Sequence, residues 1–444
     1  MRSSASLKNL MDHVKHLKCL ICGKEYAPDE VDYVCPDHGN EGILDVRYDY
    51  GLIGQRISRE SLAANPDTTV WRYKPLLPVR PDAAVPPLTI GGTPLYKADR
   101  LAAELGLKHV WVKDDGRLPT ASFKDRASVL AVVKAQEKAQ SSIVNRQSSI
   151  VNRQSSIVIT TASTGNAAAA LSGICASVKQ PNVIFVPEKA PPAKIAQLLV
   201  FGSTVMLVKG TYDDAFELCL QAAAKYGWYN RNTAYNPYMT EGKKTAVYEI
   251  CEQLHWDAPD AIFVSVGDGC IIGGLHKGLK DLLALGWIER MPRIYGVQAA
   301  GSAFLYEAWR DGEDVLTKAP VSGVTVADSI SAGLPRDRIK ALAAVTETNG
   351  AYICVSDDEI LASIPALARA TGVFAEPAGA AAHTGLLKAV ELGLVSADDR
   401  IVVLNTGNGL KDVAGAMKSV EMVGTKANRV APDLTDLQRV MATL

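Results

Sequence analysis

From about Leu88 onward, short apolar runs alternate along the chain with amphipathic segments. The runs HVWVKD, SIVITT, NVIFVP, AIFVSVG, RIYGVQA and RIVVLNT have the length and the branched residues of buried strands. Segments such as DDAFELCLQAAAKYG and KTAVYEICEQLHW carry the apolar spacing of helices that cover a sheet. This alternation predicts an α/β fold with two lobes and largely parallel sheets, in which ligands bind at the carboxyl ends of strands.

Residues 1–50 follow a different pattern, in which two pairs of metal-binding residue types flank a short turn-and-strand stretch. The pairs are Cys19 with Cys22, and Cys35 with His38. Such pairs are typical of a zinc ribbon, where four protein ligands complete a tetrahedral site and leave no position open for catalysis. We therefore predict a zinc-ribbon-like segment with a structural metal. The alternative is a degenerate ribbon that folds without metal.

Residues 141–158 contain two perfect copies of the heptad SSIVNRQ followed by the start of a third. The repeat is too short for a coiled coil and lacks sustained charges at its flanking positions. Removing two heptads would leave a plain join between a helix and the strand SIVITT, and surface loops tolerate such insertions at small entropic cost. We interpret 141–154 as a tandem insertion in a surface loop.

The composition is that of an ordinary globular protein, with 48% apolar residues, 21% charged residues and a formal net charge of −1. No basic excess or acidic tail indicates a nucleic-acid partner. No stretch approaches the ~18 apolar residues that a membrane span requires, and the first residues lack the apolar core of a secretory signal. Eight cysteines are few for 444 residues, so we expect a reduced, cytoplasmic location.

Lys124 stands in the stretch 120–126, shortly after Pro119 and just before a predicted helix at 127–138. The positive pole of that helix and the neighbouring Arg126 are both expected to disfavour the ammonium form. A neutral lysine amine is the nucleophile that forms a Schiff base with an aldehyde cofactor. The alternative for an isolated lysine is a solvated side chain in the first turn of a surface helix.

Three strands end in turns of small residues that open a helix, at 162–166, 266–274 and 405–412. In the first, Ser163 and Thr164 offer hydroxyls for a carboxylate, and Asn166 offers an amide. The second exposes successive backbone N–H groups that suit a phosphate. Because Ile272 occupies the sixth position of the dinucleotide fingerprint, a monophosphate fits better. In the third, Thr406 places a hydroxyl at the end of a strand.

Five motifs occur in one order along the chain: S-F-K-D-R around Lys124, A-S-T-G-N, the glycine-rich loop, E-P-A-G-A at 376–380, and T-G-N-G-L-K-D. In these motifs, and over roughly residues 71–420, the chain resembles the fold-type II family of pyridoxal-phosphate enzymes. The resemblance implies a two-lobed α/β fold like that of the tryptophan synthase β subunit, with pyridoxal 5'-phosphate as the cofactor.

The resemblance and the ribbon together imply a division of the chain into parts. We expect a zinc-ribbon-like segment at 1–50, a connecting segment at 51–90, a catalytic region at 91–420 with its smaller lobe at about 125–240, and a tail at 421–444.

The resemblance also implies a role for each matched residue. Lys124 would form the Schiff base and then act as the base that moves protons. Asn166 would bind the ring hydroxyl, and Thr406 would face the pyridine nitrogen and leave it largely unprotonated, which suits eliminations and replacements. Ser163 and Thr164 would hold the substrate carboxylate. The cofactor phosphate would be held by Gly267, Asp268, Gly269, Cys270 and Ile271.

The segments WRYKPLLPV (71–79), GGTPLYKADRLAAELG (91–106) and EGKKTAVYEI (241–250) are similar to one branch of this family. That branch converts O-phospho-L-homoserine and water to L-threonine and phosphate, so we expect an amino-acid substrate and a homodimer. The alternatives are a serine or threonine ammonia-lyase and a β-replacement enzyme similar to cysteine synthases. The neutral charge argues against a different class, a non-catalytic protein that binds nucleic acid through its ribbon.

The stretch upstream of EGKKT departs from that branch, which often carries an N-S…R arrangement that grips the substrate phosphate. Here Ala234 and Met239 cannot donate a hydrogen bond to a phosphate, and a bidentate arginine contact is lost. Either another cation replaces the arginine, such as Lys194, Arg126 or Lys243, or the substrate carries no phosphate.

Overall fold

The structure of the protein, a computed structural model, describes residues 11–145, 157–190 and 192–443. The insertion predicted at 141–154 lies outside the described residues except for 141–145, which continue a helix. Within the described ranges, no helix is both long enough and apolar enough to cross a membrane.

The strands and helices follow the predicted alternation. The strands are β1 (Val14–Cys19), β2 (Glu25–Tyr26), β3 (Leu44–Tyr48), β4 (Leu95–Lys97), β5 (His109–Asp114), β6 (Ile159–Ala162), β7 (Asn182–Pro187), β8 (Thr204–Val208), β9 (Tyr229–Asn230), β10 (Ala261–Ser265), β11 (Arg293–Ala299), β12 (Ala351–Val355) and β13 (Arg400–Asn405). The helices are α1 (Tyr50–Gly54), α2 (Arg59–Ala63), α3 (Asp99–Glu104), α4 (Lys124–Asn145), α5 (Asn166–Ser177), α6 (Pro192–Val200), α7 (Tyr212–Tyr226), α8 (Tyr238–Lys243), α9 (Thr245–Gln253), α10 (Cys270–Ala284), α11 (Phe304–Asp311), α12 (Arg338–Thr346), α13 (Asp357–Thr371), α14 (Pro377–Glu391), α15 (Val413–Met422) and α16 (Leu434–Met441).

The largest sheet has the strand order β12-β11-β10-β13-β5-β4, and its pairings are parallel except for that of β4 with β5. Successive residues of β10 point to opposite faces of this sheet. Ile262 shares one hydrophobic core with Ile272 of α10, whereas Phe263 shares another with Ala381 of α14. Helices therefore cover both faces, which explains the continuous apolar runs and confirms the predicted α/β class.

A smaller, wholly parallel sheet has the order β8-β7-β6-β9. Its central strands are buried, and Ile159 and Ile184 are fully enclosed. Helices α5 and α7 pack against this sheet. Its strands lie between residues 159 and 230, and the domain boundaries stay predictions.

The N-terminal segment forms an antiparallel sheet of order β2-β1-β3. Leu44 and Val46 of β3 are fully buried in the same hydrophobic core as Leu275 of α10. Between them, Asp45 forms an ion pair of 3.2 Å with Lys277, also of α10. The ribbon-like segment is therefore packed directly against the helix that follows the glycine-rich loop.

Helix α4 begins three residues before the predicted helix start, at Lys124 itself, and continues to Asn145. The carboxylate of Asp125 accepts the backbone N–H of Thr120 at 2.8 Å and also accepts its hydroxyl. These bonds close the turn that leads into the helix. The lysine is therefore part of the first helical turn, where its direction is set by the helix.

A buried ion network joins α4 to the large sheet and to α9. The guanidinium of Arg126 donates to Asp115 at 2.6 Å and to Glu249 at 2.6 Å. Lys113 of β5 donates to Glu249 at 2.8 Å. Burial acts to raise the pKa of Glu249, but the charges of Arg126 and Lys113 outweigh it and lower that pKa to about 2.

We expect the substitution Glu249→Gln to lower the free energy of unfolding by about 3–5 kcal/mol, because it leaves the buried Lys113 without a carboxylate partner and Arg126 with Asp115 alone. Urea denaturation at pH 7 measures this change. Since the pKa of Glu249 is depressed in the folded state, its contribution is complete at neutral pH and is lost as the pH falls towards 2. The control Asp311→Asn breaks an exposed pair with Arg310 and should leave stability nearly unchanged. Equal effects of the two substitutions would contradict this account.

Candidate active site

Backbone contacts place Lys124 beside the loop that follows β13. The N–H of Phe123 donates to the carbonyl oxygen of Thr406 at 2.9 Å, and Ser122 pairs with Gly407 in an antiparallel bridge. The start of α4 is thus joined to the carboxyl end of a central strand. Lys124 and Thr406 consequently line the same cavity.

The pKa of Lys124 is lowered to about 8. Burial is the largest cause, and the positive charges of Lys243 and Arg231 act in the same direction, while Glu376 opposes them. The predicted contribution of Arg126 is not among these causes, because its guanidinium is neutralised by Asp115 and Glu249. A lysine with this pKa is a substantially stronger nucleophile at neutral pH than an ordinary lysine.

The loop after β6 carries Ser163 and Thr164 into the cavity from the smaller sheet. The N–H of Ser163 donates to the carbonyl of Phe185 at 3.1 Å, which continues the pairing of β6 with β7. The hydroxyl of Ser163 accepts the N–H of Gly165 at 3.2 Å, just before α5 begins at Asn166. Two hydroxyls and a helix N-terminus therefore face one space, an arrangement suited to a carboxylate.

Glu376 is a site residue to which sequence analysis assigned no role. Its carboxylate accepts a hydrogen bond of 2.7 Å from the side-chain amide of Asn166. Burial raises the pKa of Glu376, whereas the charges of Lys124 and Lys411 act against that rise. The sequence signal for Glu376 is its place in the E-P-A-G-A motif, directly before the proline that opens α14.

The glycine-rich loop leads from β10 into α10, whose first residue is Cys270. Gly269 has a φ of +89°, and a Cβ there would lie 2.6 Å from the Cβ of Ala341. A Cβ on Gly267 would lie 2.8 Å from the Cα of Ile330. Both glycines are therefore required by close packing, and the loop presents the N-terminus of a long helix to the cavity. Asp268 and Ile271 also line this wall.

Thr406 is buried at the carboxyl end of β13, and its hydroxyl lies 3.5 Å from that of Ser265 at the end of β10. Gly407 follows, and a Cβ at that position would overlap the carboxylate of Glu376. The side-chain amide of Asn405 donates to Asp114 at 2.8 Å, which holds the loop against β5. A neutral hydroxyl thus stands at a rigid position between the central strands.

All of the predicted cofactor and substrate residues line one cavity of about 860 Å³ between the two parallel sheets. These residues are Lys124, Ser163, Thr164, Asn166, Gly267, Asp268, Gly269, Cys270, Ile271 and Thr406. Three further cations, Arg231, Lys243 and Arg336, line it as well. A lysine amine of lowered pKa, a helix N-terminus and a buried hydroxyl in one enclosed space fit an aldehyde cofactor that carries a phosphate.

A second cluster lies in the ribbon-like segment, where Cys19, Cys22, Cys35 and His38 have ligand atoms within 4.8 Å of one another. The sulfur atoms of Cys22 and Cys35 are 3.9 Å apart, close to the ~3.8 Å between thiolates bound tetrahedrally to zinc. The Nε2 atom of His38 is buried without a hydrogen-bond partner among the described residues. The donor set and its spacing fit one tetrahedral metal ion.

The sequence profile of the Pyridoxal-phosphate dependent enzyme family matches residues 87–407. The chain belongs to this family, and its cofactor is pyridoxal phosphate. Within the family, it is similar to threonine synthases over most of its length. The protein from Methanocaldococcus jannaschii is 36% identical over 430 residues, which cover 96% of this chain and 99% of that protein. The protein from Methanosarcina acetivorans is 39% identical over 400 residues, with 89% and 92% covered.

Solved structures share the fold at lower identity. The processed form of threonine deaminase isoform 2 from Solanum lycopersicum has a TM-score of 0.61 at 22% identity, and the match covers 85% of this chain and 89% of that one. Diaminopropionate ammonia lyase from Escherichia coli has a TM-score of 0.60 at 19% identity, with 74% and 88% covered. These likenesses concern the fold alone, and they confirm the predicted fold-type II architecture.

We expect borohydride reduction of the holoenzyme to fix the cofactor to Lys124, because reduction makes the bond to the lysine amine permanent. Peptide mass mapping identifies the modified lysine. The substitution Lys124→Ala should abolish both this label and the visible absorbance band. The control Lys280→Ala, which removes a lysine paired with Glu347 on the surface, should retain both. A label on any other lysine would refute the assignment.

Proposed function

We propose that this protein is a threonine synthase that converts O-phospho-L-homoserine and water into L-threonine and phosphate. The observation that carries the proposal is similarity to threonine synthases that extends over 96% of the chain. A cavity that is lined by every predicted cofactor and substrate residue supports it. The substrate is a small amino acid.

Different residues of the cavity are proposed to bind the cofactor and to transfer protons. When bound, the cofactor withdraws electrons from the substrate carbon next to its nitrogen. The amine of Lys124 holds the cofactor and afterwards moves protons, a task that suits a pKa near 8. Asn166, held by Glu376, is positioned for the ring hydroxyl. The neutral hydroxyl of Thr406 would serve as the partner of the ring nitrogen.

Two further sets of contacts orient the ligands. Residues 267–271, at the N-terminus of α10, would hold the cofactor phosphate. Ser163 and Thr164 hold the substrate carboxylate at the N-terminus of α5. These assignments place the carboxylate on the side of the smaller sheet and the cofactor phosphate on the side of the larger sheet.

The proposed activity is tested by measuring phosphate release from O-phosphohomoserine beside ammonia release from serine and threonine. We expect phosphate and threonine in equal amounts, with little ammonia from either amino acid. The variant Lys124→Ala should produce none of these products, which controls for contaminating enzymes. Ammonia release without phosphate release would instead assign the protein to the ammonia-lyases.

We also propose that Cys19, Cys22, Cys35 and His38 bind one structural zinc ion. The proposal is supported by the mutual distances of their ligand atoms and by the unpaired Nε2 of His38. Four protein ligands leave no open position, so the ion has no catalytic task.

The purified protein should contain one zinc per chain by elemental analysis. The substitution Cys35→Ser should remove most of the metal, because a hydroxyl is a much poorer zinc ligand than a thiolate. The control Cys354→Ser changes a cysteine on β12, outside the cluster, and should retain the metal. A protein that lacks zinc yet keeps its full thermal stability would favour the metal-free ribbon.

We also propose that the protein is cytoplasmic and forms a homodimer. None of the eight cysteines, all of which the structure describes, forms a disulfide, which supports a reducing compartment. The dimer is expected from the family resemblance, and sedimentation or light scattering measures it.

A further inference from the structure

Among the described residues, two buried cations of the active-site cavity have no carboxylate partner. Arg231 is 1% exposed and Lys243 is fully buried, and both line the cavity beside Lys124. The Nη2 atom of Arg231 and the Nζ atom of Lys243 have no hydrogen-bond partner among the described residues. Burying an unpaired charge is costly, so such groups usually indicate that a bound anion completes the site.

Arg231 is held in place by neutral groups. It follows β9, and its N–H donates to the carbonyl of Thr160 at 2.8 Å. Its Nε donates to the hydroxyl of Ser128 at 3.1 Å, and its Nη1 donates to the hydroxyl of Thr233 at 3.1 Å. These bonds orient the guanidinium without neutralising it. Burial lowers the pKa of Arg231 to about 10, so the side chain still carries its charge at neutral pH.

Lys243 is brought to the cavity by the close packing of α8 on α4. A Cβ on Gly242 would overlap the carbonyl oxygen of Arg126, so only glycine permits this approach. The adjacent Lys244 is equally buried, but it pairs with Glu241 and Asp281 at 2.7 Å each. Of these two neighbouring lysines, Lys244 is paired with carboxylates, whereas Lys243 lines the cavity and is unpaired among the described residues.

The other cations considered for this task are already engaged. Arg126 is neutralised by Asp115 and Glu249, and Lys194 forms an ion pair with Asp328. Met239, at the position where an arginine was expected, is fully buried in the main hydrophobic core. Met239 is not among the residues that line the cavity.

We propose that Arg231 and Lys243 bind the phosphate group of the substrate and thereby replace the arginine that is absent at position 239. This proposal rests on the proposed function. Arg231 directly follows β9, which pairs with β6. It therefore lies near the loop after β6, whose Ser163 and Thr164 are proposed to hold the substrate carboxylate. A phosphate monoester carries nearly two negative charges at neutral pH, which matches two unpaired cations.

The geometry also gives these residues a part in selecting the substrate. An unphosphorylated amino acid that enters the same cavity leaves both cations unpaired in a buried place. Sites with buried polar groups reject ligands that lack the matching group far more strongly than apolar pockets do. Arg231 and Lys243 therefore favour O-phosphohomoserine over homoserine.

The test is a spectral titration of the holoenzyme with O-phosphohomoserine and, in parallel, with homoserine. We expect Arg231→Gln and Lys243→Gln each to weaken binding of the phosphorylated ligand roughly 10- to 100-fold, the loss typical of a hydrogen bond to a charged group. Homoserine binding and the dissociation constant of the cofactor should stay within about threefold. The control Arg336→Gln removes a cavity cation that is paired with Asp213 and should have little effect.

A second measurement uses the unaltered protein and does not depend on the folding of a variant. Inorganic phosphate should compete with O-phosphohomoserine and should not displace homoserine. The proposal is overturned if the unaltered protein binds both amino acids equally, or if the two variants lose cofactor rather than substrate affinity, since the cations would then hold the cofactor phosphate. A dominant effect of Arg336→Gln would overturn it as well.

The failure of this proposal can be distinguished from the failure of the proposed function. If O-phosphohomoserine binds tightly through Arg231 and Lys243 but yields neither threonine nor phosphate, the proposed phosphate site is supported and the proposed activity is refuted. If threonine forms at an unchanged KM in both variants, the proposed activity is supported and the proposed phosphate site at Arg231 and Lys243 is refuted.

Discussion

The ion network around Arg126 determines where α4 begins relative to the large sheet, and the active site depends on that position. Arg126 is held by Asp115 next to β5 and by Glu249 of α9. Lys124 lies two residues earlier, so the same anchor that joins three elements also directs the reactive amine into the cavity. Helix α8 crosses α4 at Gly242 and places Lys243 beside that amine. A structural network thus sets the position of both side chains without contacting a ligand.

Buried cations in this protein fall into two groups with different consequences. Lys113, Arg126 and Lys244 are paired with carboxylates, and they hold helices to the sheet. Lys124, Arg231 and Lys243 face the cavity, and the charges of the latter two lower the pKa of the first. The fold therefore neutralises the cations that hold helices to the sheet, and Lys124, Arg231 and Lys243 form no ion pair among the described residues. Arg336, which also lines the cavity, is paired with Asp213. This separation gives one cavity both a nucleophilic amine and an affinity for anions.

The ribbon-like segment supports the cavity from outside the parallel sheets. The Nζ of Lys340 in α12 donates to the carbonyl oxygen of Leu44 at 3.2 Å, and Arg338 forms an ion pair with Glu41. Because Gly269 packs against Ala341 of the same helix, these contacts reach the loop assigned to the cofactor phosphate. Asn40, two residues after the proposed ligand His38, itself lines the cavity. A metal ion in the ribbon would therefore stabilise a wall of the active site.

The sequence by itself determined the α/β class and, through the family resemblance, the cofactor. It also identified ten residues that line the cavity, because short motifs with fixed residue types need no tertiary information to be recognised. Asn166 and Thr406 belong to strand-to-helix turns, and Lys124 belongs to the S-F-K-D-R motif at the start of α4. The partners of the charged residues were decided only by the tertiary structure. Arg126 was expected to influence Lys124 but is neutralised by Glu249, more than a hundred residues away. Arg231 and Glu376 received no role, since the meaning of a charge depends on whether a partner of opposite sign lies within a few ångströms. Sequence patterns record local turns and periodicity, whereas charge pairing across elements exists only once the chain has folded.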